Sequence, residues 1–92
     1  MGETVRIPTF DGVADFPAYV VRPEGKPRAA VIVVQEVFGV NPGIRKKAAH
    51  WAGQGYLAVA PEVFWRQGEG IDLDSDVPEQ FQQAIRHMMA HD

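Results

Sequence analysis

Apolar positions alternate with polar ones at the start of the chain, run unbroken near its middle, and recur at helical spacing in two later stretches. From Thr4 to Thr9, Val5 and Ile7 share one face, a period of two that predicts a strand. Asp11-Gly12 is a hairpin signal. Phe16 to Arg22 follows, with Phe16, Ala18 and Val20 on one side and Tyr19 and Val21 on the other. Pro17 places this second strand at a sheet edge, or itself near the strand's start. Pro23 to Pro27 is a turn. Ala29 to Val34, six apolar residues in a row, is too short to cross a membrane. Its β-branched content suits a central strand buried on both faces.

The apolar run stops at Gln35-Glu36. A carboxylate directly at the carboxyl end of a buried strand is costly unless partnered or solvated. In open α/β sheets the same end is where ligands bind. Gly39, Asn41 and Pro42 then turn the chain into a helix. Asn41 is a good N-cap and Pro42 suits the first helical position. Ile44, Ala48, Trp51 and Ala52 make one apolar face, while Arg45, Lys46 and Lys47 lie mainly off it. Gly55 fits the left-handed residue that ends a helix. Tyr56 to Ala60 is another short buried strand, stopped by Pro61.

Strand, helix and strand in this order form a βαβ unit, with parallel strands and a right-handed crossover. The hairpin before it makes the sheet mixed. Glu62 to Gly70 reads as a loop with exposed aromatics, Phe64 and Trp65. Asp76 to Glu79 resembles a capping box with Asp in the Ser/Thr role. A last helix carries Phe81, Ala84, Ile85, Met88 and Met89 at helical spacing. Two helices are thin cover for such a sheet, since a parallel sheet needs both faces covered. The 29–34 strand also lacks a partner on one edge, an aggregation hazard if left open. The pattern therefore predicts either the first part of a larger α/β domain or a chain that assembles with something.

Composition narrows the function classes. The 92 residues allow one small domain, and 46% hydrophobic with 23% charged residues is ordinary globular content. A net charge of −3 gives no electrostatic case for nucleic acid or an anionic membrane. With no cysteine there is no disulfide, thiolate nucleophile or zinc-thiolate site, and a cytoplasmic location fits. The first residues have no apolar stretch of the signal-peptide kind.

The turn Gln35-Glu36-Val37-Phe38-Gly39 is the site candidate. A turn after a central strand can aim a backbone N–H at a developing oxyanion, with Glu36 beside the reacting atoms. The plainer reading is a solvated strand-end carboxylate with a Phe packed beneath the loop. Asp72, Asp74 and Asp76 open like a calcium loop, but Val77 and Gln83 stand where Gly and Glu are needed. A polar loop leading into a helix cap accounts for them. His87 and His91 are four apart, as two zinc ligands would be, but Met88 replaces the Glu of the zinc motif. Ser75, the single serine, lacks a nucleophile-elbow context and sits between two aspartates. Gly53-Gln-Gly55 precedes a strand and so is no dinucleotide fingerprint. Phe64, Trp65 and Arg66 could line a pocket or cover a missing helix face.

Four features in order resemble the N-terminal part of the dienelactone hydrolase family, the carboxymethylenebutenolidase-like α/β-hydrolases. They are the hairpin, the apolar strand ending in QEVFGVN, the helix ending in GQGYLAVAP, and the loop EVFWRQGEG. The resemblance implies an α/β fold whose mixed, mostly parallel sheet is truncated here to a hairpin, one βαβ unit and a C-terminal helix. Residues 1–92 would form a single partial domain. It implies ester or lactone hydrolysis through an acyl-enzyme by a Cys or Ser, Asp and His triad. No metal or organic cofactor is implied. The family's nucleophile elbow would lie beyond Asp92, so His87 and His91 precede it in chain order and are no triad candidates.

By the same resemblance Glu36 contacts the resting nucleophile and helps control its activation. The N–H of Val37 contributes to the oxyanion hole, and Phe38 lies near the substrate pocket. Glu62 stands where the family's loop has Asp. The arginine that holds the substrate carboxylate has no match between Asp76 and Ala84. The implied partner is a small-molecule ester or lactone. A second expectation, from another class, is a non-catalytic small α/β protein that self-associates or pairs with a complementing chain through its open sheet edge. Metal binding through the three histidines is a third.

Overall fold

In the computed structural model, which describes residues 2–90, the alternating N-terminal segment folds back on itself. Strand β1 (Gly2–Pro8) pairs antiparallel with β2 (Asp15–Val21), placing Val5 opposite Ala18 and Ile7 opposite Phe16. The hairpin register thus gathers the apolar residues on one face. In the connection Asp11 accepts from the Thr9 hydroxyl and the Val13 N–H. These bonds, the hydroxyl's above all, hold its carboxyl below the usual range.

Strand β3 (Ala30–Ile32) leads into helix α1 (Pro42–Gly53), and β4 (Leu57–Pro61) returns parallel to β3. Strand β4 also pairs antiparallel with β2, so the mixed sheet has the order β1-β2-β4-β3. Pro17 lies near the start of β2, which is an interior strand, and its carbonyl accepts the Glu62 N–H.

Helix α1 starts and ends on local signals. The Asn41 side chain accepts the Ile44 N–H at 3.1 Å, with Pro42 in the first turn. At the other end the Tyr56 N–H bonds the Trp51 carbonyl and the Gly55 N–H bonds that of Ala52. With Gly55 at φ +94° this is a Schellman ending. Its usual hydrophobic contact is Trp51 against Tyr56, ring centroids 5.8 Å apart. That contact explains a departure from the expected apolar face. Ile44, Ala48 and Ala52 are buried, whereas Trp51 closes the helix end and stays exposed.

The core lies between α1 and the sheet. Val21, Val33, Val40, Ile44, Ala48, Ala52, Ala58 and Ala60 form one cluster. Half of these are alanines, so helix and strand backbones approach closely. The opposite sheet face is less covered. Ile32 is 67% exposed and Val34 66%. The expectation of a central strand buried on both faces is therefore corrected. Strand β3 is short and lies at the sheet edge; its Val31 packs half-buried against the core, and Val33, just past the strand, joins it. The radius of gyration is 13.9 Å, above the ~12 Å of a compact chain of this length. The thin axis of only 16 Å accounts for the excess.

Helix α2 (Pro78–Ala90) packs on loops. Phe81 meets Phe38, and His87 meets Phe64. Of its apolar face only Ala84 is buried. The helix begins one residue later than the expected capping box. Val77 accepts the first helical bond, from Phe81, and Pro78 takes the first helical position, which needs no N–H. The 62–70 loop also differs from expectation. Phe64 is buried, and Trp65 stacks on Phe16 at 6.0 Å. Arg6 fastens the end of this loop, donating to Glu69 and to Asp15. No described helix is long and apolar enough to cross a membrane.

Two outcomes follow from this packing. Ala48→Leu forces extra methyl groups between α1 and β4 and should cost about 1–3 kcal/mol in urea unfolding, while Ala49→Leu, on the exposed side, should cost little. The hydrogen bond from Arg6 lowers the Glu69 pKa from its ordinary 4.5. A depressed carboxylate pKa contributes stability that is fully present above the ordinary value and lost as pH falls through the depressed one. In a Trp51→Phe background, Trp65 emission should report the loop. It should shift toward solvent only in acid, and Arg6→Met should produce that shift already at neutral pH.

Candidate functional site

The candidate turn begins where the β3–β4 ladder ends. The ladder's last bond beyond β3 runs from the Val33 N–H to Val59, at 2.8 Å. Past that point a side chain takes over. Gln35 is half-buried, and its Oε1 accepts the Val63 N–H at 2.8 Å. Its Nε2 donates to the carbonyl of Glu36 at 3.0 Å. The same carbonyl accepts the Gly39 N–H at 3.2 Å, closing a four-residue turn over 36–39.

Gly39 makes that turn possible. Its φ is +86°, which side chains other than glycine's rarely allow. It is also overlaid by the segment 71–73. A Cβ at Gly39 would lie 2.0 Å from the Ile71 carbonyl oxygen. Gly39 bridges to Asp72, and the Leu73 N–H donates to the Phe38 carbonyl at 2.8 Å. Arg45 fixes the far side. It donates to the Val40 carbonyl at 2.6 Å and pairs with Asp72 at 3.0 Å. The turn is thus held by the Gln35 side chain just past β3, a covering segment and an arginine from α1.

The three residues singled out in the sequence fall side by side on this turn. Glu36 is exposed, and its carboxylate makes no hydrogen bond among the described residues. Val37 is half-buried. The N–H groups of Val37 and Phe38 donate to no acceptor among the described residues. Phe38 is half-buried, its ring 5.9 Å from that of Phe81. Such a turn can offer N–H donors to an oxygen that gains negative charge. A separate cleft of about 230 Å³ lies on the α1 side, lined by Tyr19, Val40, Arg45, Glu62 and Asp72 among others. It is not lined by Glu36, Val37 or Phe38. Glu62 there accepts the Gly70 N–H at 2.7 Å.

The other sequence candidates scatter. Asp72 pairs with Arg45, and Asp74 accepts the Asp76 N–H at 2.9 Å. Ser75 lies between Asp74 and Asp76 on an exposed loop. His50 packs edge-on against Trp51, and His87 tilts against Phe64. His91 lies outside the described residues, so the spacing of the histidine pair is not described. Among the described residues no group of three or more His, Asp or Glu side chains converges on a metal position. Two residues that hold the site carry no role on sequence grounds. Gln35 is legible there only as the polar partner of Glu36, and Arg45 only as a charge off the apolar face.

Known proteins share this arrangement of strand, turn, helix and strand. The profile described as the dienelactone hydrolase family matches residues 16–92. A relative from Azospirillum brasilense, named "Putative carboxymethylenebutenolidase", is 38% identical over 89 residues, covering 96% of this chain and 38% of the relative. A carboxymethylenebutenolidase from Pseudomonas putida is 36% identical over 90 residues, covering 98% of this chain and 38% of its own length. The crystal structure of a "Putative Dienelactone Hydrolase" from Klebsiella pneumoniae aligns with a TM-score of 0.70 and 37% identity. That alignment covers 94% of this chain and 35% of the other. The chain thus spans less than two fifths of the length of these proteins. With the profile matched over most of its length and the fold shared with a solved structure, the chain belongs to the dienelactone hydrolase family.

Proposed function

We propose that this chain is the N-terminal part of a hydrolase that cleaves ester or lactone bonds through an acyl-enzyme, with its catalytic triad supplied by residues outside this sequence. The observation that carries the reading is the 36–39 turn. It ends a parallel strand and leaves the Val37 N–H without an acceptor among the described residues. In the proposed reaction the nucleophile, its proton taken by the triad His, attacks the substrate carbonyl to form an oxyanion. Collapse of the oxyanion breaks the acyl C–O bond. The alkoxide takes that proton, leaving as an alcohol from an ester or staying on the acyl chain as a hydroxyl from a lactone. Water then hydrolyses the acyl-enzyme to the acid and restores the nucleophile. The Val37 N–H donates to the oxyanion, Glu36 orients and restrains the resting nucleophile, and Phe38 forms a wall of the substrate pocket.

The chemistry of the remaining side chains supports a triad from elsewhere. There is no cysteine, and Ser75 sits in a loop flanked by carboxylates, where an alkoxide would be disfavoured. The substrate class, a small ester or lactone, comes from the names its relatives carry. The absence of cysteine is in keeping with a cytoplasmic setting. The domain covers residues 1–92 as one partial unit on this reading.

A second reading has its own observation. Strand β3 is an edge strand that ends in the exposed Ile32, with Val34 exposed just past it, a surface suited to pairing with another chain. On that reading the protein is a non-catalytic α/β module. Size-exclusion chromatography with light scattering separates the two, because a monomer without a partner counts against the pairing reading.

Glu36→Gln in the full-length native protein tests the hydrolase reading. It keeps the shape and removes the charge. Hydrolysis of p-nitrophenyl acetate should fall at least about tenfold in kcat with the fold intact by circular dichroism, a loss within the range of misplaced catalytic groups. Unchanged kcat would remove Glu36 from the machinery.

A further inference from the structure

We infer that Gln35 is a positioning residue that aims the Val37 N–H, an inference that rests on the hydrolase reading of the same turn. Its side-chain amide is held in one orientation by chemistry. The Val63 N–H is a donor, so only Oε1 can face it. The Glu36 carbonyl is an acceptor, so only Nε2 can face that. A flipped amide would break both bonds at once.

What Nε2 grips is one end of a rigid plane. The peptide joining Glu36 to Val37 is trans and planar, as no cis bond occurs among the described residues. The Glu36 C=O and the Val37 N–H therefore point in opposite directions across that plane. The Glu36 oxygen is held by two donors, Gln35 Nε2 at 3.0 Å and the Gly39 N–H at 3.2 Å. Fixing the oxygen fixes the line of the Val37 N–H on the other side. The Gly39 bond belongs to the turn itself and moves with it. The Gln35 bond ties the plane to Val63, just past the end of β4, and so to the sheet.

This goes further than capping the Val63 N–H, which any acceptor at position 35 would accomplish. The two roles use different atoms of one side chain. Gln35→Glu at pH 8 keeps an acceptor for Val63 and replaces the Nε2 donor with an oxygen that repels the Glu36 carbonyl. Gln35→Leu removes both.

The experiment uses the full-length native protein and both variants, with p-nitrophenyl acetate as substrate in 0.5 M salt to screen the charge added beside Glu36. The Val37 15N–1H residual dipolar coupling and the Val63 amide exchange rate are measured alongside. Gln35→Glu should lower kcat about tenfold to a hundredfold, the scale of a small misplacement of a catalytic group, with KM within about twofold of wild type. Its Val37 coupling should change while Val63 stays protected. Gln35→Leu should show the same kcat loss together with fast exchange at Val63. Wild-type kcat in Gln35→Glu, or an unchanged Val37 coupling, overturns the inference. If the wild-type protein does not hydrolyse the ester, the hydrolase reading falls. The coupling then decides the positioning alone, a changed value upholding it and an unchanged value overturning it.

Discussion

The hydrogen bond from the Gly39 N–H to the Glu36 carbonyl is the constraint on which the rest of the site depends. It closes the turn between β3 and α1 in four residues, and it does so at φ +86° with the Ile71 carbonyl packed against the glycine. Because the reversal is so tight, Val40 can enter the core and Asn41 can cap the helix immediately after it. The same reversal leaves Glu36, Val37 and Phe38 displayed at the end of a strand. Structure and candidate chemistry thus share one backbone geometry.

Around that turn the fold relies on small residues and short bonds more than on bulk. Ala48 and Ala52 of α1 meet Ala58 and Ala60 of β4, which brings helix and sheet together with little room for change. Arg45 reaches from α1 to the Val40 carbonyl and to Asp72, so the helix also holds the segment that covers Gly39. Gln35 does the corresponding work on the strand side.

The opposite face of the sheet has a different character. Ile32 and Val34 are exposed, and α2 rests on loops, with Phe81, Ile85, Met88 and Met89 largely outside. The chain spans less than two fifths of the relatives it matches. Apolar residues facing water beside an edge strand make a surface prone to pairing with another chain. The pairing reading begins from this surface, whereas the hydrolase reading begins from the 36–39 turn.

Features governed by near neighbours along the chain are legible in the amino-acid sequence itself. The alternation in 4–9 and 16–22 sets the faces of the hairpin, and Asn41, Pro42 and Gly55 mark both ends of α1. The string from Gln35 to Asn41 locates the candidate turn and carries the family resemblance. These signals act over a few residues, through side-chain period, fixed φ and capping bonds, so they need no knowledge of the rest of the chain. Tertiary structure decided the remainder. Six apolar residues suit a strand buried on both faces, and although the missing partner on one edge is legible, only the packing left Ile32 and Val34 exposed. Trp51 left the core because the helix ending needed its ring against Tyr56. The bond from Val63 to Gln35 joins residues 28 apart and exists only because β3 and β4 lie parallel in one register. Residues distant in sequence meet through the sum of all packing and pairing, and that sum is not written in any one stretch.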